Sequence, residues 1–470
     1  MNKIFQSLVV VLVVSFSMST FLVPHAESAE ATEDSWANMA EMPTARIGLG
    51  VAVVNGMIYA IGGYVHTLAC MRTNERYDPA TDTWTTKASM PTARCDFGIA
   101  VYQNKIYVIG GAVGNEKSTG VNEVYDPLTN TWETKKSMPT PRQGLGANVV
   151  NGKIYLIGGC RWISGYPRAL NMNEAYDPLT DTWTTMAPIP TPVHRYSSAV
   201  ADKKIYVITG CGPVYSTVDL TQIYTPETDT WNYGAPLPIE VAGAAGAATT
   251  GVWAPKRIYV LGGMRNIPYS FNQIYDPEKN VWNTGSSIPT ASGNLGVAVV
   301  DDILYAIGGG SGWLGCYGWV EVDLCLGANE QYTPIRYGTV PPAVSVVSPE
   351  KRTYTANNVP LTFTANKPTS WIGYILDGQA TVTIAGNTTL TGLSDGYHIL
   401  RVYANDTFGY AGASEIIYFS IAQQSEPFPT TWIAATIVLT AIIGVGLLLY
   451  FVKIKKTTGE GEKATPEGVK

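Results

Sequence analysis

The chain has 470 residues, 14% of them charged and 11% aromatic, with a formal net charge of −6 and a pI near 5.4. A chain of this length and apolar content can bury large cores, which excludes disorder by composition. The acidic balance leaves no overall basic face and so excludes a general nucleic-acid binder.

In chain order, residues 1–31 come first. Lys3 precedes the apolar run LVVVLVVSF, and small residues follow in AESAEA, the layout of a secretory signal peptide. Cleavage after Ser28 or after Ala31 fits this pattern equally well.

From about residue 34 the chain repeats itself. Apolar runs end at Gly62-Gly63, Gly110-Gly111, Gly158-Gly159, Thr209-Gly210, Gly262-Gly263 and Gly308-Gly309. After the first five of these come tracts such as NERYDPATDTW (74–84) and NEVYDPLTNTW (122–132). Trp36, Trp84, Trp132, Trp183, Trp231 and Trp282 are spaced by 48, 48, 51, 48 and 51 residues. A period near fifty, made only of short strand patterns and turns, signals a radial β array. Each unit parses into four strands, a to d. In the first, LGVAVV and MIYAIGG are joined by Asn55-Gly56, which suits a tight hairpin. Strand c carries the Tyr before Asp-Pro, where the proline ends pairing, and strand d carries the Trp.

These Gly-Gly, Tyr and Trp positions resemble kelch repeats, over roughly residues 34–337. The resemblance implies a six-bladed kelch-like β-propeller. Two departures stand out: Thr209 replaces the first glycine of the fourth copy, and the sixth copy, NEQYTPIRYG (329–338), has no Trp. Because Trp36 is unpaired ahead of the first doublet, the N-terminal segment is expected to supply the missing strand and close the ring. An open array would expose strand edges.

Residues 341–424 lack the doublets and alternate as PLTFTA, GYILD, TVTIA, HILRVYAND and EIIYFSI, the pattern of a small antiparallel sandwich. The tract LTGLSDGYHILRVYANDTFGYAGASEIIYFSI resembles the Ig-like modules that sit beside the membrane in archaeal surface proteins. Asn387 and Asn405 head acceptor sequons. A short linker (425–431) leads to 432–452, 21 uncharged residues long enough to span a hydrocarbon core. Lys453, Lys455 and Lys456 follow, so the tail (453–470) is expected on the cytoplasmic side and the rest outside. The expected fold is thus all-β, with one transmembrane helix at its C-terminal end.

All six cysteines, Cys70, Cys95, Cys160, Cys211, Cys316 and Cys325, lie in the repeat region, and six allow fifteen full pairings. Cys316 with Cys325 is favoured by position, since both sit in the long insert GSGWLGCYGWVEVDLCLG. Cys160 with Cys211 and Cys70 with Cys95 complete one scheme; simple burial of some thiols is the other reading.

Catalytic signals are sparse. Outside the leader the histidines are His66, His194 and His398, with no carboxylate or thiolate set at ligand spacing, so no metal or other cofactor is expected. Two carboxylates meeting on the axis as an acid and base pair would make the chain an extracellular carbohydrate-active enzyme of lyase, epimerase or oxidase type. A non-catalytic, surface-anchored recognition or adhesion protein is the principal expectation, with an extracellular protein or glycan partner, anionic ones included, and no nucleic acid. The kelch resemblance places the loops entering strand a and those joining b to c around one mouth of the ring. There Arg46, Arg94, Arg142 and Arg195 from four successive copies would form a basic arc for carboxylate, sulfate or phosphate groups. The competing reading pairs such arginines with Glu75, Glu123, Glu174 or Glu330 in strand c. Trp162, Tyr166, Tyr215, Tyr269 and Trp313 in the b to c loops would stack on sugar rings or bury peptide side chains, or else only cap the blades.

Overall fold

A computed structural model describes residues 32–65, 69–114, 117–213, 216–310, 316, 324–423 and 430–457. The leader expectation, His66 and most of the expected linker and tail lie outside the described residues. The chain divides into two compact units between Val340 and Pro341.

In the first unit the repeats become four-stranded antiparallel sheets. The first holds Gly50–Val54, Met57–Ile61, Asn74–Asp78 and Thr83–Thr86 in spatial order, strands a to d. Asn55 and Gly56 both take positive φ, 50° and 74°, as a two-residue hairpin of primed type demands. Five further sheets follow the same plan, and each strand a packs against the strands a of both flanking sheets, the sixth meeting the first. This closed cycle of blades is a β-propeller. Its sixth sheet contains Gly296–Val300, Ile303–Ile307 and Asn329–Thr333, and takes its outer strand, Ser35–Asn38, from the N-terminal segment. Trp36 lies opposite Tyr332 in that pairing.

One clamp recurs between blades. The strand c tyrosine is buried against its strand d tryptophan, as in Tyr77 with Trp84 at 5.0 Å between ring centroids. Its hydroxyl donates to the turn residue Asp82 at 2.7 Å, and Asp82 in turn accepts from the backbone N–H of Ala40 at 2.8 Å. The Trp84 indole donates to the carbonyl of that same Ala40 at 2.8 Å. Each blade therefore grips both polar groups of one residue in its neighbour, satisfying donors and acceptors that burial would otherwise strand.

The fifth blade departs from the two-residue hairpin: residues 249–257 link Ala245–Ala248 to Ile258–Leu261. Asp302, buried in the sixth blade, organises this loop. Its carboxylate accepts from the backbone N–H groups of Thr250, Val252, Trp253 and Ala254 at 2.5–3.1 Å.

The second unit contains a three-stranded sheet (Val344–Ser348, Val359–Ala365, Thr388–Leu390) and a larger one built on Thr369–Leu376, Gly396–Asp406 and Ile417–Ile421. Alternation is visible in Gly396–Asp406, where His398, Leu400, Val402, Ala404 and Asp406 are buried and Tyr397 and Ile399 are exposed. Leu400, Val402 and Phe419 share a core with Val359 and Leu361. The buried Lys367 ammonium meets Asp406 at 2.6 Å, and His398 meets Asp377 at 2.7 Å. A helix, Thr430–Thr457, contains the apolar stretch Ala434–Ile454, long and apolar enough to cross a membrane.

Candidate functional site

The end of the propeller where strands a begin carries the polar groups. Just before each strand a, one residue sits on the axis: Gly48, Asp96, Gly144, Arg195, Gly243 and Asn294. All six adopt positive φ, between 52° and 64°. Their backbones form a closed hydrogen-bonded circle. Gly48 donates to Asn294, Asp96 to Gly48, Gly144 to Asp96, Arg195 to Gly144, Gly243 to Arg195 and Asn294 to Gly243, at 2.7–3.0 Å. Glycine alternates with a polar residue, and at Gly48 and Gly243 the approach of the next side chain is tight. A Cβ on Gly48 would come within 2.6 Å of Asp96 Oδ1, and one on Gly243 within 2.6 Å of Asn294 Oδ1.

Above this circle is a cavity of about 110 Å³, lined also by Leu49, Phe97, Leu145, Tyr196, Ala244 and Leu295. Asp96 Oδ2 and Arg195 Nη2 lie 3.8 Å apart, both almost fully buried. Burial pushes the Asp96 carboxyl above its ordinary value while Arg195 pulls it back. Burial likewise pushes the Tyr64 hydroxyl well above its ordinary value, and Asp96 adds to the shift. Burial, with a smaller push from Arg195, holds His194 down at about 3, so its ring is neutral. Asp96 is the sole carboxylate lining this cavity, so its described wall offers no acid and base pair. Among the described residues no group of three or more His, Cys, Asp or Glu side chains could hold a metal ion.

The expected basic arc is corrected here. Arg46, Arg94 and Arg142 are fully buried and ion-paired inside their own blades. Arg46 meets Glu75 at 2.8 Å, Arg94 meets Glu123 at 2.7 Å, and Arg142 contacts Glu174. Terminal N–H groups of all three also reach backbone carbonyls, including Ala60, Val121 and Leu156 at 2.8–3.0 Å. Burial pulls the Arg46 guanidinium down to about 10 against the opposing effect of Glu75. These arginines are interior crosslinks. Arg195 is different because it stands two residues later in its repeat: Val193 holds the Arg142 position, and Arg195 matches Gly144. It faces the axis. The strand c partner changes in step, from glutamate in the first three blades to Gln222 and Gln273 in the next two. Their amides instead bond the backbone of Thr191 and Ile239 at 2.9–3.0 Å.

The aromatic candidates scatter. Trp162 and Tyr166 lie on a hairpin of Cys160–Ile163 and Tyr166–Ala169 that leaves Tyr166 about half exposed. Tyr269 stacks on Phe271 at 4.6 Å and packs on the core of its blade. Tyr215 and Trp313 lie outside the described residues. The local cysteine pairing is also corrected, since Cys316 is bonded to Cys211, 105 positions away, and not to Cys325. Cys211 sits where the chain leaves strand b of the fourth blade, paired with His194 at the mouth, so the bond joins that blade to Cys316 of the sixth repeat. Cys325 lies by the carbonyl of Tyr64 at 3.8 Å, and Cys70 approaches Cys95 at 2.8 Å between sulfurs. Cys160 is buried and its thiol pushed up to about 12.

Sequence reasoning named Arg195 but passed over its axial companions Asp96 and Asn294, although strict alignment of the repeats on the residue before Leu-Gly would have exposed them. It also passed over Lys117 and Arg161, which line a groove between the second and third blades, and Arg168, which lies opposite Arg161.

Residues 48–236 match the KLHDC2/KLHL20/DRC7 Kelch-repeats domain. Among curated proteins, the chain is similar to Kelch-like protein 35 of Mus musculus, 28% identical over 142 residues, which is 30% of this chain and 23% of that protein. It is also similar to Kelch-like protein terF of Aspergillus terreus, 27% identical over 148 residues, 30% of this chain and 32% of that protein. The chain thus spans about a quarter to a third of the length of these relatives. Among solved structures, "Structure of YjhT" aligns with a TM-score of 0.50 at 18% identity, over 58% of this chain and 93% of that one, a likeness of fold.

Proposed function

We propose that the protein is a membrane-anchored recognition module, a six-bladed kelch-type propeller carried outside the cell on an Ig-like sandwich and one transmembrane helix, that captures a protein or glycan at the propeller mouth. The observation that carries this reading is the combination of kelch repeats with a mouth whose described cavity holds a single carboxylate. The helix Ala434–Ile454 supports the anchor. The lysines that follow it support a cytoplasmic tail.

The test uses the full chain in lipid nanodiscs and in whole cells. Surface biotinylation should label propeller lysines such as Lys279 in intact cells, and proximity crosslinking from the mouth should recover a surface partner. Labelling only after permeabilisation would overturn the topology. Turnover of an extracellular glycan that stops with Asp96→Asn would favour the enzymatic reading.

A further inference from the structure

A groove of about 370 Å³ opens between the second and third blades, lined by Lys117, Ser118, Pro141, Arg161 and Trp162. We propose that this groove, with Arg168 beside it, binds an anionic polysaccharide, one bearing sulfate or uronate groups, and that it is the ligand-bearing part of the mouth in the reading above, on which it rests.

The argument begins with charge. Arg161 lies directly opposite Arg168 in the hairpin Cys160–Ile163 / Tyr166–Ala169. Side chains directly opposite on an antiparallel pair project from one face, about 5 Å apart, and like charges there repel. Elsewhere this chain neutralises its inward arginines with carboxylates, as Arg46, Arg94 and Arg142 are. Among the described residues, Lys117, Arg161 and Arg168 have no carboxylate within salt-bridge distance. Three uncompensated cations therefore converge on one corner of a protein whose formal charge is −6. Arg161 is held in place by the donation of its Nε–H to the Pro141 carbonyl at 2.6 Å, which leaves its terminal nitrogens for an incoming anion.

The shape of the corner selects a glycan over an acidic peptide. One edge of the hairpin is already occupied, since Cys160 exchanges backbone hydrogen bonds with Gln143. The other edge, Tyr166–Ala169, contains Pro167, which has no N–H to offer an added strand. Main-chain capture of an extended peptide is thus blocked on both sides. What the groove offers instead is the Trp162 ring beside fixed cations, a surface suited to a sugar ring carrying an anion.

The test measures binding of the full chain in nanodiscs to three probes: dextran sulfate oligosaccharides, oligogalacturonate and neutral dextran, with poly-glutamate as the peptide comparator. Wild type should bind at least one anionic glycan, more weakly as salt rises, and should not bind neutral dextran. Lys117→Ala with Arg168→Ala should weaken binding about tenfold or more, and Arg168→Glu more strongly still. Both residues are exposed, so an unchanged circular dichroism melt shows that folding is intact. Arg161→Lys, which keeps charge and loses the planar fork, should weaken binding less than Arg161→Ala. Absence of anionic glycan binding, affinity unchanged in these variants, or poly-glutamate binding tighter than either glycan would each overturn the proposal. If a surface protein is still captured at the mouth in any of those cases, the recognition reading survives and only this groove falls.

Discussion

Tyr332 donates its hydroxyl hydrogen to Asp34 at 2.8 Å, across 298 positions of sequence. The same carboxylate accepts from the backbone N–H of Ser286 at 2.7 Å, whose carbonyl takes the Trp36 indole N–H at 2.8 Å. Asp34 and Trp36 thus do for the last blade what Asp82 and Trp84 do for the first.

Asp34→Ala should therefore cost about as much stability as Asp82→Ala, in the range of about 1–3 kcal/mol for leaving buried partners unsatisfied. Deletion of residues 32–39 should cost more and promote aggregation, because it leaves Asn329–Thr333 as a bare edge. Thermal melts of the three variants check this. An Asp34→Ala melt matching wild type while Asp82→Ala falls would refute closure by the N-terminal segment.

The buried pairs make a second prediction. Arg94→Val alone strands Glu123 and should cost about 3–5 kcal/mol. Adding Glu123→Gln rebuilds the combination this chain already uses in Val241 with Gln273, and the double variant should recover at least half of the loss. Denaturant unfolding of both variants decides it.

Two histidines set opposite pH dependences. His194, held at about 3 against an ordinary 6.5, binds a proton more readily when unfolded, so its contribution is lost as pH falls below 6.5, by up to about 1.4 kcal/mol per pH unit. His398 is raised in the second unit: burial alone would lower it, but Asp377 and the Ser394 carbonyl outweigh that effect. Its contribution is complete below 6.5 and is lost as pH rises through its folded value. His194→Gln should flatten the acid limb of the propeller melt, and Asp377→Asn the neutral-to-alkaline limb of the sandwich melt. Limbs unchanged by these substitutions would dismiss both assignments.

Asp302→Ala should release the loop 249–257. Hydrogen exchange at Val252, Trp253 and Ala254 should quicken by at least tenfold, with a global loss of about 2–4 kcal/mol, since four N–H donors lose one acceptor. Slow exchange retained in the variant would show that the loop is held by other contacts.

Much of the architecture was legible because it is periodic. The Tyr and Trp spacing marks strands c and d, and the unpaired Trp36 pointed to the strand that pairs with Tyr332. The site was harder to read for two physical reasons. An arginine beside a strand reads alike whether it faces solvent or a buried glutamate, and only burial separates Arg94 from Arg161. A two-residue offset also moves Arg195 from the crosslinking position to the axis, a difference that composition conceals. Cys211 and Cys316 meet although the fifth blade lies between their own, a proximity no linear spacing encodes.

The backbone circle through Gly48, Asp96, Gly144, Arg195, Gly243 and Asn294 runs in one rotational sense, each amide pointing to the preceding blade. Dipoles laid head to tail around a loop sum to nearly zero, unlike those aligned along a helix. The peptide groups there supply rigidity without an axial field. The potential felt inside the bore is left to three side chains, so its sign is set by Asp96 and Arg195 and not by the backbone.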